Sequence, residues 1–365
     1  MNPEPSFSAA ETNRYSRHLR LPEIGLAGQQ RLKAARVLVV GCGGLGCPVL
    51  QYLAAAGVGT LGLLDFDTVD ESNLQRQVLY GTADVGRPKA VVAAEKLGAQ
   101  NPFITLQTHE VLLSAANALA LFAGYDLVVD CSDNFATRYL VSDACVVLGL
   151  PLVFGAIFKF EGQVSVFNHQ GGPTYRCLYP QPPAAGEAPS CAEIGVLGVL
   201  PGLVGTLQAA EALKIILGLG EVLSGRLLLV DALGMQFQTI RFRGVAANRQ
   251  RTALAPDYAA FCGEAPLVAA PAAPEIGADE LKAWQRSGRP LQLLDVREPA
   301  EHARRSIGGR LIPLGQLAGH LAELDPNMPV VVHCASGVRS QQAARLLRAQ
   351  GFTAVYSLRD GLADY

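Results

Sequence analysis

Apolar residues fall in short runs separated by polar stretches, the pattern of a chain that alternates strands and helices. Residues 37–40 form one apolar run and residues 60–64 a second, ending at Asp65. Residues 48–56 between them have helical composition, which predicts a βαβ unit with parallel strands. Further strands are predicted at 127–130, 152–154, 163–167, 226–231 and 237–243. Helices are predicted at 89–97 and 206–217, the latter closed by Gly218. The glycine-rich apolar stretches 144–158 and 194–207 are interrupted by Pro151 and Pro201 and read as buried sheet or loop, not as membrane spans. Residues 264–274 are Ala/Pro-rich without periodicity and read as a semi-extended linker. The pattern restarts at Glu275, with strands at 291–294, 330–333 and 354–356. The expected class is α/β, with a mostly parallel-sheet domain over 1–263 and a smaller α/β domain over 275–365.

Composition narrows the function. A chain of 365 residues has room for two or three domains. A formal charge of −2 argues against nucleic acid or an anionic membrane surface as partner. Residues 1–21 lack an apolar run, so no secretory signal is expected. Eight scattered cysteines do not resemble a disulfide framework, which makes a reducing cytoplasm the expected location.

Two segments carry chemistry. Gly41, Gly43, Gly44 and Gly46 follow the first strand and open a helix, and Asp65 and Asp67 come about twenty residues later, where a ribose-binding acid belongs in a Rossmann-like domain. The glycines serve NAD, FAD and ATP alike, so a dehydrogenase stays open on them alone. Arg76 and Lys89 suit a triphosphate, and a carboxylate such as Asp133 suits Mg²⁺ bridging phosphate oxygens; a solvated surface is the plainer reading of the two cations. The second segment is Cys334-Ala335-Ser336-Gly337-Val338-Arg339, between an apolar strand and a helix opening at Ser340. Such a loop aims backbone N–H groups and a helix dipole at one sulfur, a cradle for a thiolate or persulfide. A merely structural cysteine would not require Gly337, Arg339 and Ser340 around it. His333 reads as packed and not catalytic.

Through Asn73-Leu74-Gln75-Arg76-Gln77 and Asp130-Cys131-Ser132-Asp133-Asn134, residues 15–262 resemble the MoeB/ThiF family of ubiquitin-activating-type adenylyltransferases. Through the Cys334 loop, Asp295-Val296-Arg297-Glu298 and Ile312-Pro313-Leu314, the rest resembles a rhodanese domain. The resemblance implies ATP-dependent, Mg²⁺-dependent adenylation of the C-terminal glycine of a ubiquitin-like sulfur carrier ending in Gly-Gly, then sulfur transfer from a persulfide on Cys334. It implies that Arg76, Asn73, Gln77, Asn134 and Lys89 serve the nucleotide, that Asp65 holds ribose and that Asp133 places Mg²⁺. It also implies that Arg17 reaches across a homodimer and that a cysteine desulfurase or other persulfide donor charges Cys334. Cys191 matches a crossover-loop cysteine able to bond covalently to the carrier or its sulfur. Arg339 is expected to bond its own loop or a substrate anion.

Two departures matter. Relatives often carry two Cys-x-x-Cys pairs for zinc, but Thr174 and Ala259 stand opposite Cys177 and Cys262, so no structural zinc is expected and apolar packing around Tyr258 and Phe261 is expected in its place. The end, 359–365, lacks the expected tryptophan, a change expected to leave the Cys334 loop untouched. An adenylyltransferase with a separate rhodanese activity, or a noncatalytic adaptor for a ubiquitin-like protein, are the alternatives. The pathway served (molybdopterin, thiamin, cysteine, tRNA thiolation or siderophore) is left open.

Overall fold

The computed structural model describes residues 7–183, 195–262, 273–335, 337–359, 361–362 and 365. They form two compact units, divided at residue 264.

The first unit opens with α1 (Ala9–Arg14), α2 (Ser16–Leu19) and α3 (Gly25–Ala34). β1 (Arg36–Val40), α4 (Gly46–Ala56) and β2 (Thr60–Leu64) form the predicted βαβ unit. α5 (Lys89–Gln100) leads to β3 (Thr105–His109), α6 (Ala118–Phe122) to β4 (Leu127–Asp130), and α7 (Phe135–Leu148) to β5 (Leu152–Phe158). Then follow β6 (Glu161–Phe167), α8 (Tyr175–Leu178), α9 (Leu200–Leu217), β7 (Arg226–Asp231), β8 (Gln236–Arg241) and α10 (Tyr258–Phe261). The sheet order is β3-β2-β1-β4-β5-β6-β7-β8, parallel through β5 and antiparallel beyond it. β1 is apolar at every position after its first because both faces are covered. Val37 and Val39 join the layer with Leu50 and Leu53 of α4 and Val204 of α9, while Leu38 and Val40 join Phe122 of α6 and Tyr139 of α7.

Three expectations are corrected. Residues 200–207, read as sheet or loop, are the first half of α9. Pro201 lies in its first turn, where a missing N–H breaks no bond. This helix is long and apolar enough to cross a membrane, yet it packs between α4 and the β5–β6 hairpin. Residues 144–148 close α7 instead of joining a sheet or loop. Of the expected linker, 264–272 lie outside the described residues, but Ala273 and Pro274 are bound into the second unit. The Ala273 N–H donates to Gln341, and Pro274 accepts the Ser357 N–H.

The second unit contains β9 (Glu275–Ile276), α11 (Ala278–Arg286), β10 (Gln292–Asp295), α12 (Pro299–Arg304), β11 (Arg310–Leu311), β12 (Val330–His333), α13 (Val338–Ala349) and β13 (Val355–Leu358). All five strands run parallel in the order β11-β10-β12-β13-β9. β12 lies at the centre and is buried throughout, so Cys334 leaves the sheet at its middle.

Candidate active sites

β1, β2 and β4 end side by side, with Val40 opposite both Leu64 and Asp130. The chain turns out of β1 at Gly41, whose φ of 94° favours glycine. Any side chain at Gly46 would overlap the Gly41 carbonyl oxygen, so the loop closes only with glycine there. The loop meets the first turn of α4, whose unpaired N–H groups and dipole attract phosphate.

Around it stand most of the predicted residues. Asp65 accepts the Cys42 N–H at 2.7 Å and the Asp67 N–H at 2.8 Å, bracing the loop; burial pushes its carboxyl up. The Lys89 ammonium is buried, 3.0 Å from Asp67. Arg76 is half-buried, its stem against Gly44. Gln77 lies beside Gly43 and donates to Asn73 at 2.9 Å. Asp133 is exposed in the turn after β4, and Asn134 accepts the Thr137 N–H at 2.8 Å as the cap of α7. Arg17 is not brought to this set. Its neighbour Tyr15 packs on Gly57, at the far end of α4, a helix about 16 Å long.

Four buried polar atoms at this end of the sheet have no partner among the described residues: Gln77 Oε1, Asp130 Oδ2, Ser132 Oγ and Arg138 Nε. Unmet hydrogen-bonding capacity beside a phosphate loop fits a polar ligand such as ATP, and the Asp133 carboxylate supplies the hard oxygen Mg²⁺ prefers. Tyr80 and Gln208 escaped the sequence reading. The Tyr80 hydroxyl donates to the Cys42 carbonyl at 2.8 Å, and Gln208, from α9, donates to the Asp130 carbonyl at 2.7 Å. Neither sits in a motif, and only the fold brings them in.

At the corner around Cys177 and Cys262 the apolar packing expected of Tyr258 and Phe261 is present, both residues packing with Tyr139, and an ion pair is added to it. Arg176 on α8 grips the buried Asp143 carboxylate on α7, the Tyr258 hydroxyl of α10 donates to the same group at 2.8 Å, and Arg251 lies 3.3 Å away. The Arg176 guanidinium also lies over the rings of Tyr139 and Phe261, at 4.8 and 4.7 Å. Cys177 is half-exposed. Burial alone would raise its thiol, but hydrogen bonds from Thr174, Val245 and Asn248 hold it below the ordinary value. No group of three or more metal-ligating side chains occurs among the described residues. Cys42, Cys131 and Cys145 are pushed well up by burial, and Cys47 to about 12, so these thiols stay protonated. Cys191 lies outside the described residues.

In the second unit the Cys334 thiol is buried. The Ser340 N–H donates to it at 3.4 Å, and Ser340 Oγ, 3.6 Å away, bonds Gly337 and Ser357. Ala335 is exposed beside it, Gly337 caps α13 with φ 86°, Val338 begins the helix, and Ser336 lies outside the described residues. Among the described residues Arg339 makes no bond to its own loop. It makes two bonds to Glu301 of α12, at 2.7 and 2.6 Å, which correct the loop half of the expectation. The C-terminal turn does touch the loop: the Leu362 N–H donates to the Cys334 carbonyl at 3.0 Å, and a side chain at Gly361 would lie 2.5 Å from it. His333 is fully buried and burial lowers its pKa, in line with packing. Beneath it Asp295 is bonded by Arg297 and His302; burial alone would raise its carboxyl, but these bonds outweigh it and hold the pKa at about 2.

A glycine loop flanked by cations on a mixed sheet, and a cysteine cradle on a parallel one, define a nucleotide-using enzyme coupled to a sulfur-handling domain. The chain belongs to the ThiF family, whose model matches residues 15–251, and a rhodanese-like domain matches residues 277–365. It is 49% identical to a Mycobacterium tuberculosis protein named probable adenylyltransferase/sulfurtransferase MoeZ, over 100% of this chain and 95% of that one. It is 55% identical to the sulfur carrier protein adenylyltransferase of Thermus thermophilus, over 70% of this chain and 98% of the relative. With the mouse adenylyltransferase and sulfurtransferase MOCS3 it shares 45% identity, over 98% and 84%. Among solved structures, E. coli MccB has the same fold, with a TM-score of 0.58 at 22% identity over 65% of this chain and 74% of that one. The chain is an enzyme of the adenylyltransferase/sulfurtransferase type.

Proposed function

We propose that the first unit adenylates the C-terminal glycine of a ubiquitin-like sulfur carrier and that Cys334 then supplies the sulfur. The observation that carries this reading is one chain holding both a phosphate loop flanked by Arg76 and Lys89 and a thiol facing the first turn of α13. A carboxylate is a poor electrophile because its leaving group is poor. Adenylation replaces that group with AMP. The carrier carboxylate oxygen attacks the α-phosphorus of ATP, and pyrophosphate leaves. Arg76 and Lys89 draw charge from the phosphates, Asp65 takes the ribose, Asn73 and Gln77 bond phosphate oxygens, and Asp133 would hold Mg²⁺. When bound, Mg²⁺ supplies charge neutralisation between phosphates.

The outer sulfur of a Cys334 persulfide then attacks the acyl carbon and AMP leaves, giving an acyl disulfide. Cys191 is the candidate for a covalent bond to the carrier or its sulfur, and a reducing thiol attacks the Cys334 sulfur and releases the thiocarboxylate. The disulfide so formed is reopened by a second reducing thiol. A cysteine desulfurase or other persulfide donor recharges Cys334. Arg17, exposed and away from its own site, supports a homodimer in which it serves the partner's nucleotide. The free thiols fit a cytoplasmic setting. Mass analysis of a Gly-Gly carrier after incubation with ATP, Mg²⁺ and a persulfide donor tests the scheme. Exchange of one carrier oxygen for sulfur supports it, and an adenylated carrier that never gains sulfur points to a separate rhodanese activity.

A further inference from the structure

Arg138 lies in the first turn of α7. It is buried, and among the described residues its Nε has no partner and its one hydrogen bond runs from Nη2 to the Ser132 carbonyl at 3.3 Å. Its guanidinium lies over the rings of Phe135 and Phe154, at 5.3 and 5.8 Å. No carboxylate among the described residues is within ion-pair distance, although Asp130 is fully buried nearby with its own Oδ2 unpartnered. A buried guanidinium without a carboxylate partner does not serve stability, since its desolvation is not offset by an ion pair.

The position says what kind of group that is. Ser132, which accepts from Arg138, packs on Gly41 at the start of the phosphate loop. Phe154 belongs to β5, which runs on to Phe158 at the exposed, apolar end of the hairpin. Arg138 therefore stands between the phosphate-loop end of the sheet and the β5 hairpin, on a helix that packs in the layer opposite the one that holds α5 and Lys89. We infer that Arg138 receives the terminal carboxylate of the carrier and orients it toward the α-phosphate. A guanidinium offers two parallel donors that match a carboxylate, and aromatic faces hold it flat. The inference rests on the adenylation reading above.

The test uses the full chain with a ubiquitin-like carrier ending in Gly-Gly, prepared with a C-terminal carboxylate and with a C-terminal carboxamide. Wild-type protein binds the carboxylate form about tenfold tighter than the carboxamide form. Arg138→Gln abolishes that preference and raises the carrier KM in ATP–pyrophosphate exchange about tenfold, with ATP affinity within about twofold of wild type. Arg138→Lys keeps part of the preference and, with ATP binding, shows that the fold survives. A preference that persists in Arg138→Gln overturns the inference alone. A matched loss of ATP affinity also overturns it, because Arg138 would then serve a nucleotide phosphate. Silence of the wild type toward every carrier overturns the adenylation reading and the inference with it.

Discussion

Arg176 holds Asp143 through two parallel bonds, Nε to Oδ1 at 2.8 Å and Nη2 to Oδ2 at 2.9 Å, and the carboxylate is almost wholly buried. The pair ties α8 to α7, and the Tyr258 hydroxyl adds α10 to the same oxygen. Removing one partner leaves a buried charge unpaired, so Asp143→Asn and Arg176→Leu should each cost about 3 kcal/mol. Urea denaturation of the full chain measures this. A loss below about 0.5 kcal/mol, the range of ordinary surface changes, would contradict the role.

If this ion pair stands in for a metal, chelation has nothing to remove. Dialysis against EDTA should leave the urea midpoint unchanged and elemental analysis should find zinc far below one per chain. A midpoint that falls on chelation and recovers with zinc would show a metal site.

Gly46 sets the closeness of the phosphate loop. Gly46→Ala forces a methyl group against the Gly41 carbonyl, and ATP affinity should fall at least about tenfold while the second unit keeps its sulfurtransferase activity. Equilibrium binding of ATP to the variant decides this, and unchanged affinity would mean that the loop accommodates phosphate in another geometry.

Cys334 and Arg76 should divide the labour. Cys334→Ser removes the nucleophile but keeps a side chain of similar shape against Ser340, so sulfur transfer should vanish while adenylation stays within about twofold. Equal loss of both activities would end the proposed division.

Asp295 makes the second unit sensitive to acid. Its pKa of about 2 lies below the ordinary value near 4, so the folded state holds the ionised form more tightly. The resulting stabilisation, on the order of 2 kcal/mol, is present above about pH 4 and is lost as pH falls toward 2. Urea midpoints of wild type should therefore drop more between pH 5 and about 2.5 than those of Asp295→Asn, once other carboxylates are subtracted by that comparison. Parallel pH curves for the two proteins would refute it.

What could be read from the chain follows physical locality. β1, β4 and β12 were legible because strands covered on both faces are continuous apolar runs, and the phosphate loop because Gly41 and Gly46 are needed by backbone geometry alone. The first half of α9 was hidden by Pro201 and nearby glycines, which break a helix only away from its first turn or when packing does not support it. β3 has the mixed burial of an edge strand and gives little periodic signal. The Arg176–Asp143 and Arg339–Glu301 pairs join residues 33 and 38 positions apart on separate elements, and no local pattern announces such partners. Asp130 stood inside a recognised motif and Arg138 just beyond it, but the unpartnered Asp130 Oδ2 and Arg138 Nε are a property of the fold.

The most direct test of the account is ATP–pyrophosphate exchange by the purified full chain with Mg²⁺ and a panel of carriers ending in Gly-Gly, run beside Arg76→Ala. The account predicts exchange that depends on a carrier and is lost in the variant; no exchange with any carrier, or exchange indifferent to Arg76, would contradict it.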